Sequence, residues 1–327
     1  MSAKSWVAVY LGLILNMVGV VPLLASTKGV GWAVGEAVSK YFLVQAVGTL
    51  VFTFGGFLST CALVPGKGGY LGGLLLTVGL LIKLGMWPFH VWVPGVLMGL
   101  SWGGCWVLMT WQKVVVYVVI VSVISQWGCE SHIQMFLVWS VMGTCVVGAV
   151  GGLGQTNIRS LLAYSSMLHS GWGLMGAMCG GMTLGFYLVT YIVAVTTLIL
   201  LFSKADVRGV QSLALKHSGV GEVVPLALGV LVLQGMPPFI VFFGKWVVLS
   251  SWVGNGFSMV PVVVILGSTA LGLYYYLSVV YGLFWRSVVA GSLKLAPKKG
   301  VVGGGLLWGL MLVSIVAGVI MFSAFGG

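Results

Sequence analysis

The chain has 327 residues, of which 60% are hydrophobic and only 6% charged, with a mean hydropathy of +1.15. Soluble domains carry about 25% charged residues, so a water-soluble globular fold is excluded in favour of an all-α polytopic membrane protein. The net charge of +11 does not indicate nucleic acid, because no basic cluster comes with a soluble domain to present it.

Apolar runs close to the roughly 20 residues that a bilayer demands predict about ten spans: 5–26, 36–58, 70–95, 103–124, 134–152, 158–180, 183–203, 222–252, 258–285 and 302–324. The first is long enough to cross and has no clear cleavage site, so it reads as a span and not as a signal peptide. The 51 glycines lie among Val, Leu and Trp, which fits close helix packing better than flexible linkers. Cys61, Cys105, Cys129, Cys145 and Cys179 are odd in number and contain no C-x-x-C, so no disulfide framework or metal site is expected.

The third run contains the stretch VGLLIKLGMWPFHVWVPGV (78–96), in which a membrane-grade helix carries Lys83 and is then interrupted by Gly85, Pro88 and Pro94. A lysine at mid-bilayer depth costs from roughly 3 to more than 10 kcal/mol. A helix break at that depth is tolerated only where it faces protein or a wet cavity. Both costs in one segment point to a polar path through the membrane.

The eighth run is too long for one helix and too short for two, and Gln234-Gly235-Met236-Pro237-Pro238 divides it, which predicts a second broken helix. Loop charge supports this count. Ten spans place Lys28, Lys40, Arg159, Lys204, Arg208, Lys216, Arg286, Lys294, Lys298 and Lys299 on one side, with only Lys4 and Lys67 on the other. The positive-inside rule assigns the rich side to the cytoplasm or matrix and both termini to the opposite side.

Three lysines belong to neither side: Lys83, Lys113 and Lys245 lie within spans three, four and eight. Snorkelling to a headgroup is the bland alternative, but about ten residues of rise flank Lys113 on each side. A desolvated ammonium is costly, which suits such a group to gaining and releasing protons. His169 lies mid-span in YSSMLH and is either a proton relay or a hydrogen-bonded packing residue. His90 reads as a partner for carbonyls freed by the break. Thr110, Tyr164, Ser165 and Ser166 either carry water or join helices. Arg159 reads as an interface anchor. Gly85-Met86-Trp87-Pro88-Phe89 is echoed by Gly235-Met236-Pro237-Pro238-Phe239 five spans later, and paired interrupted helices of opposite direction mark inverted repeats.

KLGMWPFHVWVPGV (83–96), LMTWQKV (108–114), GGLGQTNIRSLLAYSSMLHSGW (151–172), GMPPFIVFFGKW (235–246) and EAVSKYFLVQA (36–46) resemble the chain 2 family of mitochondrial NADH:ubiquinone oxidoreductase. These are antiporter-like subunits of the membrane arm of respiratory complex I. The resemblance implies a single transmembrane domain over 1–327. Within it, a truncated first repeat covers 5–124, a second covers 134–285, and a basic loop and C-terminal helix cover 286–327. It implies proton relay along Lys83, Lys113, Lys245 and His169, driven by electron transfer in partner chains. NADH, FMN, iron–sulfur clusters and ubiquinone would all be bound elsewhere in the complex. Expected partners are other membrane-arm subunits, including neighbouring antiporter-like ones, and lipid. The expected location is the mitochondrial inner membrane, with basic loops in the matrix and both termini in the intermembrane space.

Two departures from the family pattern bear on the mechanism. The chain starts about one helix late compared with common animal versions. The acidic residue usual before Met-Asn in the family's first conserved helix is absent, since LILN (13–16) puts Ile14 there. The four acids, Glu36, Glu130, Asp206 and Glu222, all fall at span ends or in loops. Lys83 is therefore expected to find a carboxylate on an adjacent subunit or water in the break, unless the chain no longer pumps. The alternatives are a self-contained cation/proton antiporter and a membrane-arm subunit that has lost pumping.

Overall fold

A computed structural model describes residues 6–26, 31–60, 67–127, 131–205, 220–237 and 239–292, with the single residues 309 and 316. Among these residues the fold is entirely helical. Nine of the ten expected spans have their helix or broken pair. The tenth, apart from residues 309 and 316, lies outside the described residues, as do Lys4, Lys28, Arg208, Lys216, Lys294, Lys298, Lys299, Glu130 and Asp206.

The helices are α1 (Trp6–Ala25), α2 (Gly31–Thr60), α3 (Lys67–Leu84), α4 (Trp92–Gly99), α5 (Trp102–Met109), α6 (Trp111–Trp127), α7 (Ser131–Gly152), α8 (Ile158–Cys179), α9 (Gly181–Ala205), α10 (Val220–Gln234), α11 (Ile240–Gly254) and α12 (Val260–Ser292). Among the described residues six stretches are long and apolar enough to cross a membrane: α1, α2, α5 with α6, α7, α9 and α12. The pairs α3–α4 and α10–α11 fall short because each is divided. The helix α8 falls short because Ser160, Ser165, Ser166, His169 and Ser170 dilute its apolar content. A helix this polar is stable in a membrane only when other helices surround it. It is indeed the hub: α8 packs on α4, α6, α7, α9, α11 and α12. Of its 22 residues only Arg159, Tyr164, Met178 and Cys179 escape full burial. By contrast α1, at the edge, is buried over only 17% of its apolar window.

Both breaks follow from the same chemistry. The helix α3 ends at Leu84 and α10 at Gln234, and in each case the residue four positions on is proline (Pro88, Pro238), which has no N–H to return to that carbonyl. A glycine follows each end in left-handed conformation, Gly85 at φ +66° and Gly235 at φ +72°, where a Cβ is disfavoured. Pro94, expected to interrupt span three, lies instead in the first turn of α4, where a missing N–H costs nothing. Span four shows an unexpected kink at Thr110, at φ −113° and ψ −75°. Backbone bonding runs through it, from Thr110 N–H to the Trp106 carbonyl and from Val114 N–H to the Thr110 carbonyl. The Thr110 hydroxyl also donates to the Trp106 carbonyl (2.7 Å), a back-bond known to bend helices.

Glycine also sets the closeness of α2 to α3. A Cβ on Gly79 would stand 2.8 Å from the Phe52 backbone nitrogen, so the two backbones touch there. That contact holds the last turn of α3, with Lys83, against Tyr41 and Gln45 of α2.

Candidate functional site

Lys83, Lys113 and Lys245 are all buried, at 5, 8 and 8% exposure. None reaches out to a surface, so snorkelling is excluded. Lys83 occupies the last turn of α3. Its carbonyl, freed by the break, accepts from Gln45 Nε2 at 3.2 Å, and the neighbouring Ile82 carbonyl accepts from Trp92 Nε1 at 3.3 Å. Trp87 N–H is taken by Thr144 Oγ1 of α7 at 2.9 Å. These side chains do the work expected of His90, whose Nδ1 is buried and finds no protein partner.

Lys83 and Lys113 line one small cavity of about 20 Å³, shared with Tyr41, Gln45, Gln112, Ser166 and Ser170. Two of its polar atoms, Tyr41 Oη and Gln112 Nε2, are buried without a protein partner. Among the described residues no acid lines the cavity. Ile14 is half-buried on α1, two residues before Asn16, whose amide reaches Gln112 of α6 at 3.0 Å.

Beyond this cavity the polar groups continue through the core. Lys113 Nζ donates to the Ser166 carbonyl at 2.5 Å and to Tyr191 Oη at 3.3 Å, and lies 5.1 Å from the Tyr191 ring centre. The Tyr191 ring stands 5.0 Å from the His169 imidazole. His169 Nδ1 meets Tyr187 Oη at 2.8 Å, while its Nε2 forms no well-shaped hydrogen bond with protein. Lys245 Nζ donates to the Gln234 carbonyl at 2.6 Å and lies 5.6 Å from the ring of Trp172. It lines a second cavity of about 210 Å³ between α11 and α12, into which Trp172, Gln234 and Thr269 also project.

Lys83 and Lys113 thus share one cavity and Tyr191 stands between Lys113 and His169, while Lys245 lines a separate cavity. Sequence reasoning missed Tyr41, Gln45, Gln112, Tyr187, Tyr191 and Gln234. Tyr187 and Tyr191 are four residues apart on α9 and so share a face, a signal that was available. Ser165 bonds the Leu162 carbonyl and Ser166 the Ala163 carbonyl, so neither hydroxyl proton is directed to the lysines, whereas the Ser166 carbonyl is. Arg159 is also more than an interface anchor: it donates to the Met98 carbonyl at the end of α4 (3.4 Å) and stacks over Trp102 at 5.1 Å.

This arrangement gathers buried nitrogen and oxygen groups that can gain or lose protons, and among the described residues no cluster of acids, histidines or cysteines could hold a metal ion. The family described as NADH:quinone oxidoreductase/Mrp antiporter, TM, matches residues 3–272. The chain belongs to that family. Its relatives include NADH-ubiquinone oxidoreductase chain 2 of Branchiostoma floridae, 34% identical over 89% of this chain and 87% of the relative. The chain 2 of Anopheles gambiae is 31% identical over 86% and 81%. Among solved structures, a chain of respiratory complex I from Thermus thermophilus has TM-score 0.80 at 23% identity, covering 99% of this chain and 75% of that one. A chain of the Mrp complex from Dietzia sp. DQ12-45-1b has TM-score 0.78 at 16% identity, covering 95% and 70%. The fold is therefore the antiporter-like membrane fold, as the broken helices had suggested.

Proposed function

We propose that the chain is a proton-translocating subunit of the membrane arm of mitochondrial complex I, seated in the inner membrane beside other antiporter-like subunits. NADH, FMN, iron–sulfur and ubiquinone chemistry belongs to partner chains. The reading is carried by one observation: Lys83 and Lys113 share a cavity, from which Tyr191 leads on to His169. Lys83, Lys113, Lys245 and His169 are the proton-carrying groups, with Tyr191 against Lys113 and His169 and Tyr187 against His169.

The inverted-repeat reading, 5–124 against 134–285, gives the lysines a further logic. Lys83 precedes its break glycine by two residues and Lys245 follows its own by ten. In repeats of opposite orientation, those opposite offsets bring both lysines to the same membrane side of their breaks. The basic loops then face the matrix and the termini the intermembrane space.

The family's link to antiporters raises cation exchange as a second function, but among the described residues neither lysine cavity is lined by a carboxylate that could coordinate a metal cation. The test is the assembled complex in proteoliposomes, with Lys83, Lys113 or Lys245 replaced singly by alanine. Fewer protons moved per electron pair supports relay. An unchanged ratio in all three leaves a subunit that only fills space.

A further inference from the structure

We infer that Gln112 is a positioning residue that holds one water molecule, lone pair first, between Lys83 and Lys113; this rests on the proton-relay reading above. A chain of side-chain amides runs inward from the surface of the bundle. Trp111 Nε1 donates to Asn16 Oδ1 at 3.2 Å, and an indole nitrogen can only donate. That fixes which end of the Asn16 amide is oxygen. Asn16 Nδ2 therefore faces Gln112 and donates to its Oε1 at 3.0 Å. The Gln112 amide is fixed in turn, and its NH2 group is left turned away from Asn16. Gln112 lines the cavity shared by the two lysines, and this Nε2 is buried without a protein partner. Tyr41 Oη is a second unpartnered atom in the same lining, on a residue only 1% exposed.

A water molecule needs roughly 10–15 Å³ and two to four polar partners. The cavity offers about 20 Å³ together with Gln112, Tyr41 and the two lysines, which is room for one. Because Gln112 presents a donor, the water turns a lone pair to it and both protons elsewhere, where a free amine can accept one. Transfer from Lys113 to Lys83 then breaks one N–H bond at Lys113 and forms an O–H bond on the water. Another O–H bond breaks as an N–H bond forms at Lys83. The water is regenerated, one proton has moved, and the reverse transfer uses the same steps. The device also supplies Lys83 with a polar neighbour that is not a carboxylate.

The experiment is cryo-electron microscopy of the assembled complex at a resolution that shows waters, combined with proton-to-electron ratios in proteoliposomes for Gln112→Leu, Gln112→Glu and Trp111→Phe. Expected are water density within hydrogen-bond reach of Gln112 Nε2 and Tyr41 Oη, loss of that density and a lower ratio in Gln112→Leu, and a lower ratio in Trp111→Phe. Gln112→Glu keeps the shape but replaces the donor by an acceptor, so it should keep the density and shift the pH profile of the ratio. Should Gln112→Leu fail to assemble, the other two variants carry the test. A dry cavity in the unaltered complex overturns the inference, as does an unchanged ratio and pH profile in the variants that assemble. If Lys83→Ala and Lys113→Ala lower the ratio while the Gln112 and Trp111 variants do not, the water bridge fails and proton relay stands. If none of them changes it, the relay reading itself fails.

Discussion

The ammonium group of Lys245 lies 2.6 Å from the carbonyl oxygen of Gln234, the last helical residue before the second break. That carbonyl lacks its helical donor because residue 238 is proline. Lys245 therefore closes the ladder that the proline opens, and a group able to carry a proton also holds the broken helix together. Lys245→Met removes this donor. Leaving a buried acceptor unpaired costs about 1–3 kcal/mol, less where water from the adjoining cavity can reach it. The assembled complex carrying Lys245→Met should inactivate faster on heating than the unaltered one, while Lys245→Arg, which keeps a donor, should lose less.

The two break glycines should differ in tolerance. Both have positive φ, which costs an L-residue roughly 1–2 kcal/mol, but their surroundings differ. A Cβ at Gly85 would fall 2.2 Å from Val93 Cγ2, whereas at Gly235 the nearest atom is Val241 Cγ1 at 3.1 Å. Gly85→Ala should therefore lower the yield of assembled complex on native gels more than Gly235→Ala. Equal yields would show that the first break can relax.

Much of this was legible in the sequence, for reasons that individual residues make plain. Gly-x-x-Pro after an apolar helix fixes a break because proline deletes a specific N–H, and both breaks lie where that rule puts them. Helix ends were less legible: α2 extends from Gly31 to Thr60, beyond the apolar run, because small and polar residues continue a helix without lengthening its hydrophobic pattern. The Thr110 kink was not legible, since threonine sits in straight and bent helices alike. Lys83, Lys113 and Lys245 announced themselves by being charged in apolar runs. Tyr187 and Tyr191 did not, because a membrane tyrosine reads equally as an interface residue, and only packing reveals that α9 turns this face to α8. Arg159 was read by its position at a span end, and nothing local says that the end of α4 lies beside it.

His169 has one side-chain hydrogen bond, from Nδ1 to Tyr187 Oη at 2.8 Å. Tyr187→Phe keeps the ring and removes that partner, freeing the imidazole to turn. A positioned proton-transfer group typically contributes ~10²–10⁴-fold. His169→Leu should accordingly slow NADH-driven proton release about 100-fold or more, with Tyr187→Phe intermediate. Measured with a pH dye in proteoliposomes, equal rates in all three would make His169 a packing residue.

Arg159 joins the hub helix to the end of α4 through the Met98 carbonyl and the face of Trp102. A cation at a helix C-terminus contributes about 0.3–1 kcal/mol, and a cation–π contact about 0.5–2 kcal/mol. Arg159→Leu should lower the inactivation temperature of the complex. Arg159→Lys should recover part of the loss, since it keeps the charge without the planar stack. A temperature unchanged in Arg159→Leu would mean that the clamp contributes nothing.

Lys113 is the node at which the shared cavity meets the tyrosine–histidine series, so it tests the whole account. Lys113→Met keeps much of the side-chain volume and cannot carry a proton. In the assembled complex sealed into liposomes, proton uptake and NADH oxidation are followed together and expressed as a ratio. A path through Lys113 predicts fewer protons per NADH than in the unaltered complex; the same number in both contradicts it.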